Sequence, residues 1–215
     1  TYPDVNGGIG ILFEQGRVMG QVIDNIHGEL TFARAVRNQF TVSLSTLEAA
    51  LDQKDELKDY QRRFFDISDQ LKQGDIKGYL FGTDGDPARL NHFIRMLDHH
   101  DIRVNELKDP WSVNGRTFRP GEGYVVSLDQ KQYRFIRSLF DRQTEYEDSI
   151  FYDISTWTMP LAFNLDYEPV ISEREMEAFM GKTVTSIDTK PGRLIGDKSP
   201  VGYLVQGSHY YIHQI

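Results

Sequence analysis

Apolar residues recur every three or four positions from Thr31 to Gln73, which predicts a long amphipathic helix. Thr31 is suited to cap its start and Gly74 to end it, while the polar gap at Asp52–Asp55 predicts a break. We interpret the stripe as the face of a helix packed on a core, with a self-associating coiled coil as the alternative. Its members are Phe32, Val36, Phe40, Leu44, Leu47, Leu51, Leu57, Tyr60, Phe64, Ile67 and Leu71.

A different pattern follows, in which short apolar runs alternate with segments of helical periodicity. Asp86 before Pro87 fits an N-cap followed by a first helical residue. Strands that alternate with helices predict a layered α/β domain, with a partly parallel sheet and flanking helices. The predicted strands are Lys77–Phe81, Ile102–Leu107 and Gly123–Leu128, and the predicted helices are Pro87–His100 and Gln130–Arg142.

The two ends of the chain give weaker predictions. Near the start, the apolar run Ile9–Phe13 predicts a buried strand, and Arg17–Gly28 predicts a loop. After Trp157, two prolines predict loop and short helix, and the sequence Ser172–Glu175 is a capping box that opens another short helix. The last predicted strands are Val201–Val205 and Tyr210–Ile212.

Composition narrows the possible functions. The 215 residues carry a formal charge of −8 without a basic stripe, which argues against a nucleic-acid partner. No apolar run is long enough to predict a membrane span, so no membrane partner is expected. The chain has no cysteine, which excludes disulfides, thiolate zinc ligands and a cysteine nucleophile.

Glu14 is the first candidate for chemistry because it follows the predicted strand Ile9–Phe13. A carboxylate at that place is costly to bury unless it is paired, protonated or exposed in a cleft. Active sites of α/β proteins lie at the carboxyl ends of strands. Residue type alone leaves two interpretations, a general base or a strand-end carboxylate that points to solvent or pairs with Arg17.

The stretch Tyr2-Pro3-Asp4-Val5-Asn6-Gly7-Gly8-Ile9-Gly10-Ile11-Leu12-Phe13-Glu14-Gln15 resembles the late catalytic segment of the carboxypeptidase A family of zinc metallopeptidases. The closer likeness is to large bacterial secreted members, in which a long helix and a class I glutamine amidotransferase-like domain follow the peptidase domain. The stretches Asn38–Thr41, Ser43–Leu47 and Asp148–Trp157 resemble the same group.

The resemblance implies a parent protein that removes C-terminal residues from peptides by means of zinc-activated water. Glu14 then matches the general base, and Tyr2 matches the substrate-binding tyrosine. It also implies zinc in the parent, a peptide substrate, an upstream peptidase domain and a secreted or periplasmic location. The expected domains are 1–27 as the end of the catalytic domain, 28–75 as a helical connector, and 76–215 as an accessory domain.

The metal ligands of that family are not found in the chain. None of the six histidines has a glutamate three residues further on, so the expected chain is a fragment without zinc and inactive by itself. His209 and His213 lie four apart in a predicted strand, about 13 Å apart by the strand rise, which favours a structural role. His99 and His100 close a helix, where the helix dipole favours cations, which also favours a structural role.

The accessory domain is expected to have a class I glutamine amidotransferase-like or flavodoxin-like fold. Such amidotransferases use a cysteine nucleophile, so glutaminase activity is not expected. The turn Gly82–Pro87 could bind phosphate, but its aspartates favour a capping role. The alternatives to the peptidase interpretation are a non-catalytic binding or accessory module and an enzyme that acts without zinc.

Overall fold

The region up to Asp66 is built from a β-hairpin and two consecutive helices. The computed structural model describes residues 2–16, 18–142, 144, 158–189, 201–203 and 207–212, and it divides into two compact units, Thr1–Asp66 and Ile67–Ile215. In the first unit, β1 (Val22–Asn25) pairs antiparallel with β2 (Gly28–Thr31). The prediction of a loop over this region was wrong, because an Asx turn, in which Asn25 Oδ1 accepts from His27 N at 2.8 Å, allows the chain to reverse.

The long helix begins and breaks where the sequence predicts. The hydroxyl of Thr31 accepts a hydrogen bond from Arg34 N at 3.2 Å and caps α1 (Phe32–Asp52). Gln53 lies between α1 and α2 (Lys54–Phe64), so the predicted break is confirmed.

The predicted strand Ile9–Phe13 is not formed. These residues adopt irregular structure, and Leu12 is 76% exposed. A strand needs a neighbouring backbone to satisfy its N–H and C=O groups. No segment that the structure describes pairs with residues 9–13, so the apolar pattern alone does not produce a strand.

The second unit contains a five-stranded sheet with the strand order β8-β3-β7-β4-β9. Every pair of neighbouring strands in this sheet is antiparallel. The elements of the unit are α3 (Ser68–Gln73), β3 (Gly78–Gly82), α4 (Pro87–His99), β4 (Val104–Leu107), β5 (Trp111–Val113), β6 (Arg116–Phe118), β7 (Gly123–Ser127), α5 (Tyr133–Phe140), α6 (Met159–Ala162), β8 (Asp166–Val170), α7 (Glu173–Phe179) and β9 (Met180–Val184).

The mixed α and β architecture with flanking helices is confirmed, but the expectation of a partly parallel sheet was wrong. Strands β3 and β4 run in the same direction, as their connection through α4 predicts. Strand β7 lies between them and runs the opposite way, so neither has a parallel neighbour.

The two faces of the sheet bury different sets of side chains. On one face, Tyr79 stacks on Phe140 of α5 with ring centroids 4.9 Å apart, and Phe81 meets Phe93 of α4 edge to face. On the other face, the hairpin β5–β6 and α7 cover a second group of apolar side chains. This second group is Leu80, Leu107, Trp111, Phe118, Val125, Val170 and Met176.

The last third of the chain differs from prediction in two places. Pro169 was expected in a loop, but it lies in β8, an edge strand, where a proline without an N–H is tolerated. Tyr210 and Tyr211 lie in a turn and not in a strand, whereas Ser172 caps α7 as expected by accepting from Glu175 N. Asp148–Trp157 and parts of Val201–Val205 lie outside the described residues.

Candidate functional site

Glu14, the predicted general base, lies in an irregular segment along helix α1. Its side chain is exposed, and among the described residues it has no hydrogen bond or ion pair. The neighbouring Gln15 donates from Nε2 to Ala35 O at 2.9 Å and fixes the segment against α1. Arg17, the alternative partner of Glu14, lies outside the described residues. The structure therefore presents Glu14 to solvent at the end of an apolar segment.

Tyr2, the predicted substrate-binding residue, lies in a turn before the 3-10 helix Asp4–Asn6 and is 56% exposed. Asn6 Nδ2 donates to Tyr2 O at 3.0 Å, and Asp4 Oδ1 accepts from Gly10 N at 2.6 Å, so the turn is tightly bonded. Neither Tyr2 nor Glu14 lines the large cavity of this unit, and the structure does not bring the two side chains into a shared pocket.

The cavity of the first unit is apolar and open. It has a volume of about 760 Å³ and lies between residues 7–13 and the two helices α1 and α2. Ala35 is the single hydrophobic residue that is buried among the described residues of this unit. The exposed large side chains of the unit include Ile9, Ile11, Leu12, Phe32, Val36, Phe40, Leu44, Leu47 and Leu51.

Metal-ligating side chains do not converge in the part of the chain that the structure describes. No group of three or more His, Asp or Glu side chains there could hold an ion. His209 lies in a turn, and His213 is outside the described residues. His92 shares a hydrogen bond of 2.8 Å with the Tyr211 hydroxyl and stacks on Tyr210. These residues do not fit the three-ligand zinc site of a peptidase.

The second unit holds a larger and more polar cavity, of about 950 Å³, at its β8 edge. Strands β3 and β8, the end of α5, and α6 with the residues that follow it form its walls. The lining side chains are Ile76, Tyr79, Thr83, Asp84, Arg116, Arg137, Phe140, Asp141, Arg142, Leu161, Asn164, Leu165, Asp166, Tyr167, Glu168 and Pro169.

Most charges in this cavity are already paired within the protein. Arg137 Nε lies 2.7 Å from Asp141 Oδ2, and the Tyr79 hydroxyl donates to the other oxygen of the same carboxylate. On the opposite wall, Arg116 pairs with Asp166, and its Nε lies 3.2 Å from Glu168 Oε1. These two groups fix the shape of the cavity.

Asp84 and Arg142 are the two remaining charges that line the cavity. Among the described residues, neither Asp84 nor Arg142 has a hydrogen bond or an ion pair, and both are exposed. Asp84 follows β3, and Arg142 follows α5. A ligand in the cavity would therefore meet one unpaired anion and one unpaired cation.

Burial and hydrogen bonding also shift the ionisation of the lining side chains. Burial raises the pKa of the Tyr79 hydroxyl well above its ordinary value, and the hydrogen bond to Asp141 raises it further. Burial likewise raises the pKa of Tyr167, which nearby Arg142 partly offsets. The Tyr79 hydroxyl is therefore a hydrogen-bond donor at neutral pH. The described residues that line the cavity include no Ser, Cys or His.

Sequence reasoning did not find this cavity. Tyr79 and Asp141 are 62 residues apart in the sequence. Tyr79 has the pattern of an ordinary core strand, and Asp141 has the pattern of an ordinary helix end. The one local signal was the charged pair Asp141-Arg142 directly after an apolar helix. That signal does not reveal which strand lies beside it.

No protein-family model matches the chain, and no curated protein or solved structure matches it significantly. Among the described helices, none combines the length and the apolar character needed to cross a membrane.

Proposed function

We propose that the chain is part of a zinc-carboxypeptidase-like protein, in which Glu14 is the general base for hydrolysis of the C-terminal peptide bond. The carrying observation is an exposed Glu14 at the end of the apolar segment Ile9–Phe13, which has no strand partner among the described residues. The resemblance of residues 2–15 to the late catalytic segment of that family supports the assignment. In that role the Glu14 carboxylate takes a proton from the attacking water and returns it to the leaving amine.

The exposed apolar surface of the first unit supports a position against a further domain. A unit that buries one hydrophobic residue among those described gains little stability from its own core. Each large aliphatic side chain that became buried against such a domain would contribute about 1.5–3 kcal/mol. We propose that the covering surface is the peptidase domain of the same protein.

The spacing of the stripe on α1 favours such packing over a coiled coil of two copies. From Phe32 to Leu51 the apolar residues advance in five steps, about 3.8 residues per step. A left-handed coiled coil needs a repeat of about 3.5 residues, so this stripe would drift away from a partner helix. The spacing is nearer to the 3.6-residue period of an ordinary helix, which suits packing on a domain surface.

The zinc ligands would come from the rest of the protein, because the residues described here do not form a metal site. The chain by itself is accordingly proposed to be inactive, and a secreted or periplasmic location is proposed from the same resemblance. Tyr2 is the proposed substrate-binding residue of that site.

Replacing Glu14 in the full-length protein tests the proposal. The variant Glu14→Gln keeps the size of the side chain but cannot accept the proton, so kcat for a C-terminally unblocked peptide should fall by at least about 10²-fold. Glu29→Gln, an exposed carboxylate in β2, is the matched control and should retain activity. Unchanged turnover in Glu14→Gln would refute the assigned role.

The second candidate function is a non-catalytic binding module formed by residues 67–215. The cavity beside β8 favours it, because two internal charge networks shape a volume of ligand size, and two further charges line it without a partner among the described residues. The wholly antiparallel five-stranded sheet of this module argues against an amidotransferase-like or flavodoxin-like fold, in which the sheet is mostly parallel.

A further inference from the structure

We infer that the cavity beside β8 binds a short peptide with free ends, its amino group at Asp84 and its carboxylate at Arg142. The inference deepens the binding role proposed for residues 67–215 and does not depend on Glu14. Arg116 and Arg137 are already paired with Asp166, Glu168 and Asp141 within the protein. Asp84 and Arg142 remain, so a ligand that carries both signs of charge is matched best.

The two charges come from different elements of the cavity wall. Asp84 lies two residues beyond Gly82, whereas Arg142 follows Asp141, which contacts Tyr79. A ligand that meets both side chains therefore carries its two charges at separate ends, as a short peptide with free termini does.

The remaining walls suit a peptide with apolar side chains. The apolar lining includes the exposed Leu161 and the half-buried Tyr167, together with Phe140 and Leu165, which are buried. Thr83 and Asn164 add a hydroxyl and an amide that can bond a peptide backbone. The volume of about 950 Å³ lies within the range of ligand pockets and accommodates a tripeptide.

Binding of the tripeptide Leu-Ala-Leu to the full 215-residue chain, measured by calorimetry, tests the inference. The peptide with free ends is expected to bind about tenfold more tightly than either its N-acetyl or its C-terminal amide form, because each block removes one charge pair. Equal affinity of all three forms, or no binding of the free form at millimolar concentration, would overturn the inference.

Variants assign each end of the peptide. Asp84→Asn is expected to weaken binding of the free peptide about tenfold and to leave binding of the N-acetyl form unchanged. Arg142→Gln is expected to weaken binding of the free peptide about tenfold and to leave binding of the C-terminal amide form unchanged. Asp98→Asn and Arg95→Gln, exposed charges on α4, are the matched controls and should bind as the unmodified chain does. If Asp84→Asn weakened both forms equally, the assigned orientation would be wrong. A negative result for peptide binding would not affect the separate hydrolysis test of Glu14.

Discussion

The Asp86 carboxylate and the Arg89 guanidinium form a buried ion pair at the start of helix α4, with Arg89 Nη2 3.3 Å from Asp86 Oδ2. The same carboxylate caps the helix by accepting from Arg89 N at 3.1 Å, and it accepts from Tyr210 N at 2.8 Å. Arg89 in turn donates to the carbonyl of Ser208. The pair therefore connects the helix start to residues 207–212.

Removing one charge of this pair should destabilise the second unit. In Asp86→Asn the cap is preserved, but the buried Arg89 loses its counter-charge, which costs about 3–5 kcal/mol of unfolding free energy. Urea denaturation measures the loss, with the exposed Asp98→Asn as the control that should change stability by less than about 0.5 kcal/mol. Equal stability of the two variants would show that the ion pair contributes nothing.

Gly78 is required where β3 approaches its neighbours. A Cβ at this position would lie 2.5 Å from Val126 O and 2.8 Å from Met176 Sδ. Gly78→Ala should therefore destabilise the chain by about 1–3 kcal/mol, the usual cost of overpacking. Gly207→Ala, which would meet nothing within 4 Å, is the control for thermal unfolding. A midpoint for Gly78→Ala as high as that of the control would contradict this close approach.

Tyr79 should make the chain lose stability at high pH. Because burial and Asp141 raise the pKa of its hydroxyl, the folded state keeps this proton after an unfolded tyrosine has lost it near pH 10. The contribution to stability is complete below that pH and declines as the pH rises towards the folded pKa. Tyr124 and Tyr167 shift in the same direction and add to the decline.

Tyr79→Phe removes this titrating hydroxyl. Above pH 10 the free energy of unfolding should therefore fall less steeply with pH than in the unmodified chain, by about 1.4 kcal/mol per pH unit. Urea denaturation between pH 9 and about 11.5 measures the slope, and Tyr60→Phe serves as the exposed control. Parallel slopes for Tyr79→Phe and the unmodified chain would contradict the raised pKa.

Hydrogen exchange should distinguish the segment Ile9–Phe13 from the sheet. In the 215-residue chain its amides should exchange within seconds, because no described strand pairs with them, except for Gly10 N, which donates to Asp4 Oδ1. The amides of β3 should be strongly protected. In the full-length protein, protection of residues 9–13 should rise as the segment joins a sheet. Strong protection in the 215-residue chain would refute the unpaired conformation.

The features predicted well from the sequence are those that local chemistry decides. Thr31, Asp86 and Ser172 cap helices through their own side chains, and each cap is recognisable within four residues. Apolar periodicity likewise located α1, α4 and the strands β3 and β7 to within a few residues. Such signals do not depend on distant parts of the chain.

Strand pairing was harder to predict because it depends on residues far apart in sequence. The insertion of β7 between β3 and β4 made the sheet antiparallel, and nothing local to those strands encodes it. One local signal was overlooked, since Asn114-Gly115, both at positive φ, forms the turn of the hairpin β5–β6. The cavity beside β8 likewise forms only when β8 and α5, which are distant in sequence, lie side by side in the fold.

The most direct test of the central claim is the coding sequence that precedes Thr1 in the gene. We expect an H-x-x-E pair, a later separate histidine and substrate-binding arginines, which together would supply the zinc site that Glu14 serves. A gene that encodes no such ligand set ahead of Thr1 would contradict the assignment of Glu14 as a general base. Residues 67–215 would then be left as a binding module without a peptidase.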